Sequence, residues 1–171
     1  VFTSTIVTFG PTPPGVVADE TLPRAPGLLT EYEATKTEAE HEALARARSG
    51  QAIVIVNPTR VFGPGKMTEG NSVSAMISMY ERGRIPVLLN SGRNVGNYVF
   101  VDDLVAGHLL AMERGRPGER YILGGENLTL RQFFDAVAEA CGRRRFQAGL
   151  PPFAARIYAR LRKKRRRGSA A

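Results

Sequence analysis

Tyr32 and Lys36 stand four residues apart within the segment 29–44, whose composition predicts a helix. At that spacing the two side chains share one helix face. A lysine cation beside a phenol favours the phenolate. Twenty-seven residues before the tyrosine, the chain opens on an apolar, β-branched run ending in hydroxyls, Val1-Phe2-Thr3-Ser4-Thr5. A hydroxyl brought in from a neighbouring strand end would hold a carbonyl or alcohol oxygen against that phenol. Such a trio is the minimum needed to move a proton at a substrate oxygen while a hydride moves elsewhere.

The surrounding elements must place these groups together. Residues 1–5 read as a buried strand, and 10–27, rich in Pro and Gly, as loop. A helix is expected over 30–48, opened by a capping box of Thr30 with Glu33 and closed near Gly50. The continuous apolar run 52–57 reads as a strand buried on both faces, as in a parallel sheet. Strand, helix and strand across this span form a βαβ unit. Beyond Asn57-Pro58, residues 61–65 read as a turn, 72–82 as helix, and 85–89 and 98–101 as short strands around a polar loop. Asp102 or Asp103 is expected to cap a helix reaching about Glu113. A strand at 121–123 follows, then a helix from a second capping box, Thr129 with Gln132, to about Ala140. A last helix over 151–162 is expected to run into a basic tail.

Composition narrows the class. The 171 residues suffice for a real core. Of the net charge of +8, six units come from Arg162-Lys163-Lys164-Arg165-Arg166-Arg167, and removing them leaves +2. No aromatics interleave with that run, so it reads as a solvated tail and no specific nucleic-acid partner is expected. One cysteine, Cys141, excludes an intrachain disulfide and fits a reducing, cytoplasmic setting. No apolar run is long enough to span a bilayer. His41 and His108 lack metal-ligand companions at suitable spacing and read as a surface and a packed helix residue, so no metal is expected. Adjacent Asp102 and Asp103 point apart, which disfavours paired acid–base work.

Five segments, in order, carry a family resemblance. They are Phe2–Gly10, with its hydroxyls and a glycine five residues beyond Thr5; Tyr32-Glu33-Ala34-Thr35-Lys36; Asn57–Gly65; Val99–Leu104; and Tyr121–Thr129. Together they resemble the C-terminal part of the extended short-chain dehydrogenase/reductases, the NAD-dependent epimerase/dehydratase family. Gly115–Tyr121 is most similar to bacterial sugar-epimerase-like and dihydroflavonol-reductase-like members. The resemblance implies an α/β fold: the C-terminal part of a Rossmann-type doubly wound parallel sheet plus a small mixed α/β substrate-binding region. Residues 1–58 would complete the NAD(P)-binding domain, 59–150 would form the substrate region, and 151–171 a terminal helix and basic tail.

By the same resemblance Tyr32 is the general acid/base, and Lys36 lowers its pKa and holds the nicotinamide ribose. Thr5 bonds the reacting oxygen, with Ser4 as a second candidate because neighbours on a strand face opposite ways. Pro58 lies near the nicotinamide, and Asn57, Asn71 and Ser72 fall where some members touch substrate. The cofactor is NAD or NADP. The reaction is oxidation or reduction at a carbonyl or alcohol carbon of a small molecule, a sugar derivative or hydroxy-ketone. A homodimer through the Tyr-Lys helix is implied, with Ala34, Ala39, Ala43, Ala45 and Ala47 permitting close approach. The Arg that nucleotide-sugar members often carry before the aromatic of the Val-Asp-Asp strand is replaced by Gly96, with Arg93 out of register. The glycine-rich turn that cradles a dinucleotide pyrophosphate does not occur, and Gly63-x-Gly65 does not replace it. With no initiator Met, the chain reads as a piece of a longer protein, expected to be inactive alone. The alternative is a non-catalytic, cofactor- or RNA-sensing chain on the same scaffold.

Overall fold

The computed structural model describes the chain except for residues 14, 24–26, 28–29, 67–70, 152 and 154–171. In chain order the elements are β1 (Phe2–Thr3), α1 (Glu31–Arg48), β2 (Ile55–Pro58), β3 (Arg60–Phe62), α2 (Ser72–Glu81), β4 (Val87–Leu89), β5 (Val95–Phe100), α3 (Val101–Arg114), β6 (Arg120–Leu123), β7 (Glu126–Thr129), α4 (Leu130–Ala140) and β8 (Ala148–Leu150). Short 3-10 turns occupy Ile6–Phe9 and Asn90–Gly92.

Two compact units result: Val1–Gly63 with Asn97–Glu126, and Pro64–Gly96 with the described residues from Asn127 on. This differs from a linear division after Pro58. Residues 97–126 return to the first unit because β6 completes its sheet.

In the first unit β2 is the central strand, parallel to β1 (Phe2 opposite Ile55, Thr3 opposite Val56) and to β6 (Ile55 opposite Arg120, Pro58 opposite Leu123). Alternate residues of β2 face opposite ways. Val54 and Val56 pack with Ala111 of α3, Tyr121 and Leu123. Asn57 instead meets Glu40 of α1. The two helices therefore cover opposite faces, as the α/β expectation requires. A second parallel pair, β3 and β5, aligns Arg60 with Tyr98 and Phe62 with Phe100. Gly125 lies against this pair, and a Cβ there would sit 2.2 Å from the Tyr98 carbonyl oxygen, so only glycine fits.

The edge of β6 is covered by the loop that precedes α1. Ile122 N–H donates to Glu20 Oε1 (2.8 Å), and Arg120 donates to the Glu20 carbonyl (2.9 Å). Beside Glu20, the Thr21 hydroxyl and then its backbone N–H hold the Asp19 carboxyl below its usual value.

The second unit packs α2 and α4 around Tyr80 and Phe134, stacked at 5.2 Å, with Phe133, Val73, Leu88, Val137 and Ala138 also buried. The β4–β8 pair is parallel, with Leu88 opposite Gly149.

Several local expectations hold. Both capping boxes form, Thr30 with Glu33 and Thr129 with Gln132. Others are corrected. The first strand stops at Thr3, and strand β3 takes the first two residues of the expected 61–65 turn. Residues 95–97, expected as loop, begin β5. Phe100, not Asp102 or Asp103, caps α3, because β5 feeds the helix without a loop. The two aspartates occupy its first turn, where carboxylates suit the helix dipole. Strands β7 and β8 were not anticipated. The terminal helix and basic run lie outside the described residues, save Pro151 and Phe153.

The Thr129 box accepts the Gln132 N–H at 3.1 Å and returns Gln132 Oε1 to the Thr129 N–H at 2.9 Å. Thr129→Ala should therefore cost about 1 kcal/mol. Urea denaturation measures it, and an unchanged midpoint would show that the box contributes nothing.

Candidate active site

Topology places the Tyr-Lys helix. β1 and β2 are parallel, so the chain between them must return along the sheet, and α1 runs against the strands. Its C-terminal end is located by Ala47, which lies 3.9 Å from where a Cβ on Gly118 would be, next to the start of β6. At 1.5 Å per residue, Tyr32 lies roughly 22 Å further along the helix, toward the carboxyl ends of the strands. Ligands of open parallel sheets bind at that end.

Lys36 Nζ donates to the carbonyl oxygen of Thr3, the last residue of β1, at 3.4 Å. On the opposite face the Thr3 hydroxyl meets His108 Nε2 at 3.1 Å, while His108 Nδ1 lies 2.9 Å from the Leu104 carbonyl. A carbonyl only accepts, so Nδ1 carries a proton; in the neutral ring Nε2 then accepts from the threonine. The end of β1 is thus held from both helices. Tyr32 is 54% exposed. Thr5 is partly buried and extended (φ −161°, ψ 153°), opening the 3-10 turn.

Behind these residues lies a buried polar cluster. Glu40, two turns beyond Tyr32 and one beyond Lys36, is only 3% exposed. Its Oε2 accepts from the Ser4 hydroxyl, from Thr8 Oγ1 (3.0 Å) and from Asn57 Nδ2 (2.9 Å). Its Oε1 pairs with Arg120 at 3.3 Å. The Arg120 guanidinium lies over the Phe9 ring, 4.4 Å from its centroid. The Thr5 carbonyl receives Thr8 N–H (3.2 Å), Thr8 Oγ1 (2.8 Å) and Asn57 Nδ2 (3.1 Å).

The expected site residues therefore separate. Thr5, Lys36 and Pro58 belong to the carboxyl end of the β1–β2 pair, Lys36 through its bond to the Thr3 carbonyl, and Tyr32 lies one turn before Lys36 on α1. Ser4 and Asn57, expected as substrate contacts, are instead buried within the Glu40 cluster, at 4% and 0% exposure. Their side chains are engaged by a carboxylate and offer a substrate no surface in this chain. Among the described residues, Asn57 Oδ1 is buried without a hydrogen-bond partner, as is Thr59 Oγ1. Asn71 and Ser72 lie in the second unit, where Asn71 precedes α2 and donates to the Lys66 carbonyl (3.1 Å) and Ser72 is the exposed first residue of the helix. Glu40 and Arg120 were not anticipated as part of the site. The signal was the spacing: Tyr32, Lys36 and Glu40 are successive i,i+4 positions on one stripe. Among the described residues, no group of three His, Cys, Asp or Glu could hold a metal ion. No described helix is long and apolar enough to cross a membrane.

A strand bearing hydroxyls, a crossover helix bearing Tyr and Lys, and a parallel partner ending in Asn-Pro define an α/β fold of the dinucleotide-binding type. The family model described as "NAD dependent epimerase/dehydratase family" matches residues 1–124, and the chain belongs to that family. A Synechocystis protein, provisionally named a dihydroflavonol 4-reductase, is 39% identical over 136 residues, which is 76% of this chain and 38% of that protein. The structure of a nucleoside-diphosphate-sugar epimerase from Pseudomonas aeruginosa superposes with a TM-score of 0.79 at 26% identity, covering 94% of this chain and 52% of its own. UDP-glucose 4-epimerase of Thermus thermophilus, solved with NAD, gives 0.70 at 29% identity, covering 88% and 51%. The chain thus spans between 38% and about half of these relatives' lengths.

The buried cluster can be tested by stability. Asn57→Leu removes a donor from Glu40 and from the Thr5 carbonyl and should cost about 1–3 kcal/mol. Asn71→Ala, at a half-open helix start, should cost at most about 1 kcal/mol. Thermal melts of the two variants compare them directly, and equal losses would contradict the bonding described.

Proposed function

We propose that this chain supplies the proton-transfer part of a longer NAD(P)-dependent oxidoreductase acting on a carbonyl or alcohol carbon of a small molecule, as a reductase or within an epimerisation or dehydration. The observation that carries this reading is the Lys36 Nζ contact with the Thr3 carbonyl, which ties the Tyr-Lys helix to the strand leading into Thr5. Tyr32 exchanges a proton with the substrate oxygen, and its half-exposed phenol is accessible for that purpose. Thr5 donates a hydrogen bond to the same oxygen and orients it. Lys36 gives one of its three protons to Thr3, and the other two suit the hydroxyls of a ribose. Pro58, at the end of β2, forms an apolar wall beside the ring. The nicotinamide supplies the hydride chemistry when bound. Asn71 and Ser72 are proposed as substrate contacts; Ser4 and Asn57 are not, because Glu40 engages them.

The residues present fit the nicotinamide end of the cofactor only. No glycine-rich strand-to-helix turn is present to cradle the pyrophosphate. Two further features support a longer protein. Among the described residues β1 is an unpaired sheet edge, and α3 exposes Val105, Leu109, Leu110 and Met112. The 171-residue chain should accordingly give no saturable NAD(H) or NADP(H) isotherm by calorimetry at micromolar concentration. In the longer protein, Tyr32→Phe should lower turnover by about a hundredfold or more with dinucleotide affinity nearly unchanged. Retained turnover would remove the acid–base assignment.

The longer protein is proposed to be a dimer through the outer face of α1. There Thr35, Glu38, Ala39, His41, Glu42 and Ala45 line a shallow, open concavity of about 610 Å³. Of the alanines expected at the interface, Ala39 and Ala45 lie on this face. Ala43 is buried, and Ala47 faces Gly118. Ala45→Glu should shift the protein toward monomer by light scattering; a wild-type protein that is already monomeric would contradict the interface.

A further inference from the structure

Glu40 takes no part in the proton transfer proposed above, yet it is buried and bonded on both oxygens. Its partners come from the segment after β1 (Ser4 and Thr8), the end of β2 (Asn57) and the start of β6 (Arg120). Ser4, Thr8 and Asn57 together carry four side-chain protons, shared among Glu40 Oε2, the Thr5 carbonyl and Thr8 Oγ1. Without Oε2, the donors on Thr8 and Asn57 that also serve the Thr5 carbonyl lose the acceptor that fixes their directions. We propose that Glu40 is a positioning residue: its carboxylate fixes the Thr5 backbone against the helix that carries Tyr32 and Lys36, and so sets where the Thr5 hydroxyl stands. The proposal rests on the proton-transfer reading above.

The chemistry requires a carboxylate. One oxygen faces three donors and the other faces a guanidinium. An amide of the same shape has one oxygen and one donor nitrogen. Either way round, Gln at this position sets an N–H against a donor, Arg120 in one orientation and Ser4, Thr8 and Asn57 in the other. A side chain serving only as packing would accept that exchange.

Glu40→Gln and Tyr32→Phe, each made in the longer, active protein, separate the two ideas. Glu40→Gln should lower kcat about tenfold to a hundredfold while KM for the dinucleotide stays within about twofold. In the 171-residue chain the same substitution should move the Thr5 and Thr8 amide resonances and leave those of α4 in place. Unchanged kcat, unmoved Thr5 resonances, or a kcat loss no larger than the loss of folded protein would each overturn the proposal. Should Glu40→Gln fail to fold, Thr8→Val keeps the volume and removes one shared donor. It should reduce kcat several-fold with KM retained, and native turnover there is equally fatal. Turnover surviving in Tyr32→Phe sinks the proton-transfer reading and this proposal with it. Loss there beside a fully active Glu40→Gln sinks only the role of Glu40.

Discussion

A carboxylate buried in an α/β sandwich constrains everything around it. Removing an ion from water costs several kcal/mol even after relaxation, and the attraction of one partner repays that only when the remaining lone pairs are also satisfied. Glu40 meets the condition with Ser4, Thr8 and Asn57 on one oxygen and Arg120 on the other. Those partners belong to three segments that run together only if β1, β2 and β6 are in the observed register. The register, the 3-10 turn after β1 and the rotation of α1 about its axis are therefore mutually dependent. Rotating α1 by one residue would carry Glu40 about 100° away from its donors. The same rotation would turn Lys36 from the Thr3 carbonyl. Thr3 adds a tie on the opposite face through His108. The end of β1 is held from above and below, although the strand itself contributes only two residues to the sheet.

What could be read in the sequence follows the range of the interaction responsible. The two capping boxes involve residues three apart, and both were legible. The buried strand around Ile55-Val56 was legible because burial on both faces leaves a continuous apolar run. Strands β3, β7 and β8 have three or four residues each, too few to establish a period. Phe100 caps α3 with no side-chain bond, so the neighbouring aspartates offered a better local signal for a cap that the geometry does not use.

The site divides in the same way. Tyr32 and Lys36 announce themselves by spacing on one helix. The choice between Ser4 and Thr5 was open in the sequence because adjacent extended residues face opposite ways. In the fold, one of the two is taken up by a residue thirty-six places further on: Ser4 turns to Glu40. The five alanines of α1 were expected to permit close helix approach, and a helix turns such residues through the full circle. Ala43 and Ala47 face inward, and only Ala39 and Ala45 border the outer concavity.

Tyr32, Lys36 and Glu40 form a single stripe on a helix of eighteen residues, and the order of their tasks along it has a physical logic. Glu40 sits deepest, against the middle of the sheet, where water is excluded and its bonds are least screened. Lys36 is one turn nearer the strand ends, spending a hydrogen bond on the last carbonyl of β1. Tyr32 is a further turn out and half-exposed. Burial increases inward and exposure outward along the stripe, with about 6 Å of helix rise between each pair. In the role proposed for Tyr32, the phenol must keep its place within a fraction of an ångström while remaining open to solvent on one side, and an exposed side chain cannot secure that by its own contacts. A helix transmits the constraint instead. The buried anchor fixes the axis and rotation, and the exposed phenol inherits both.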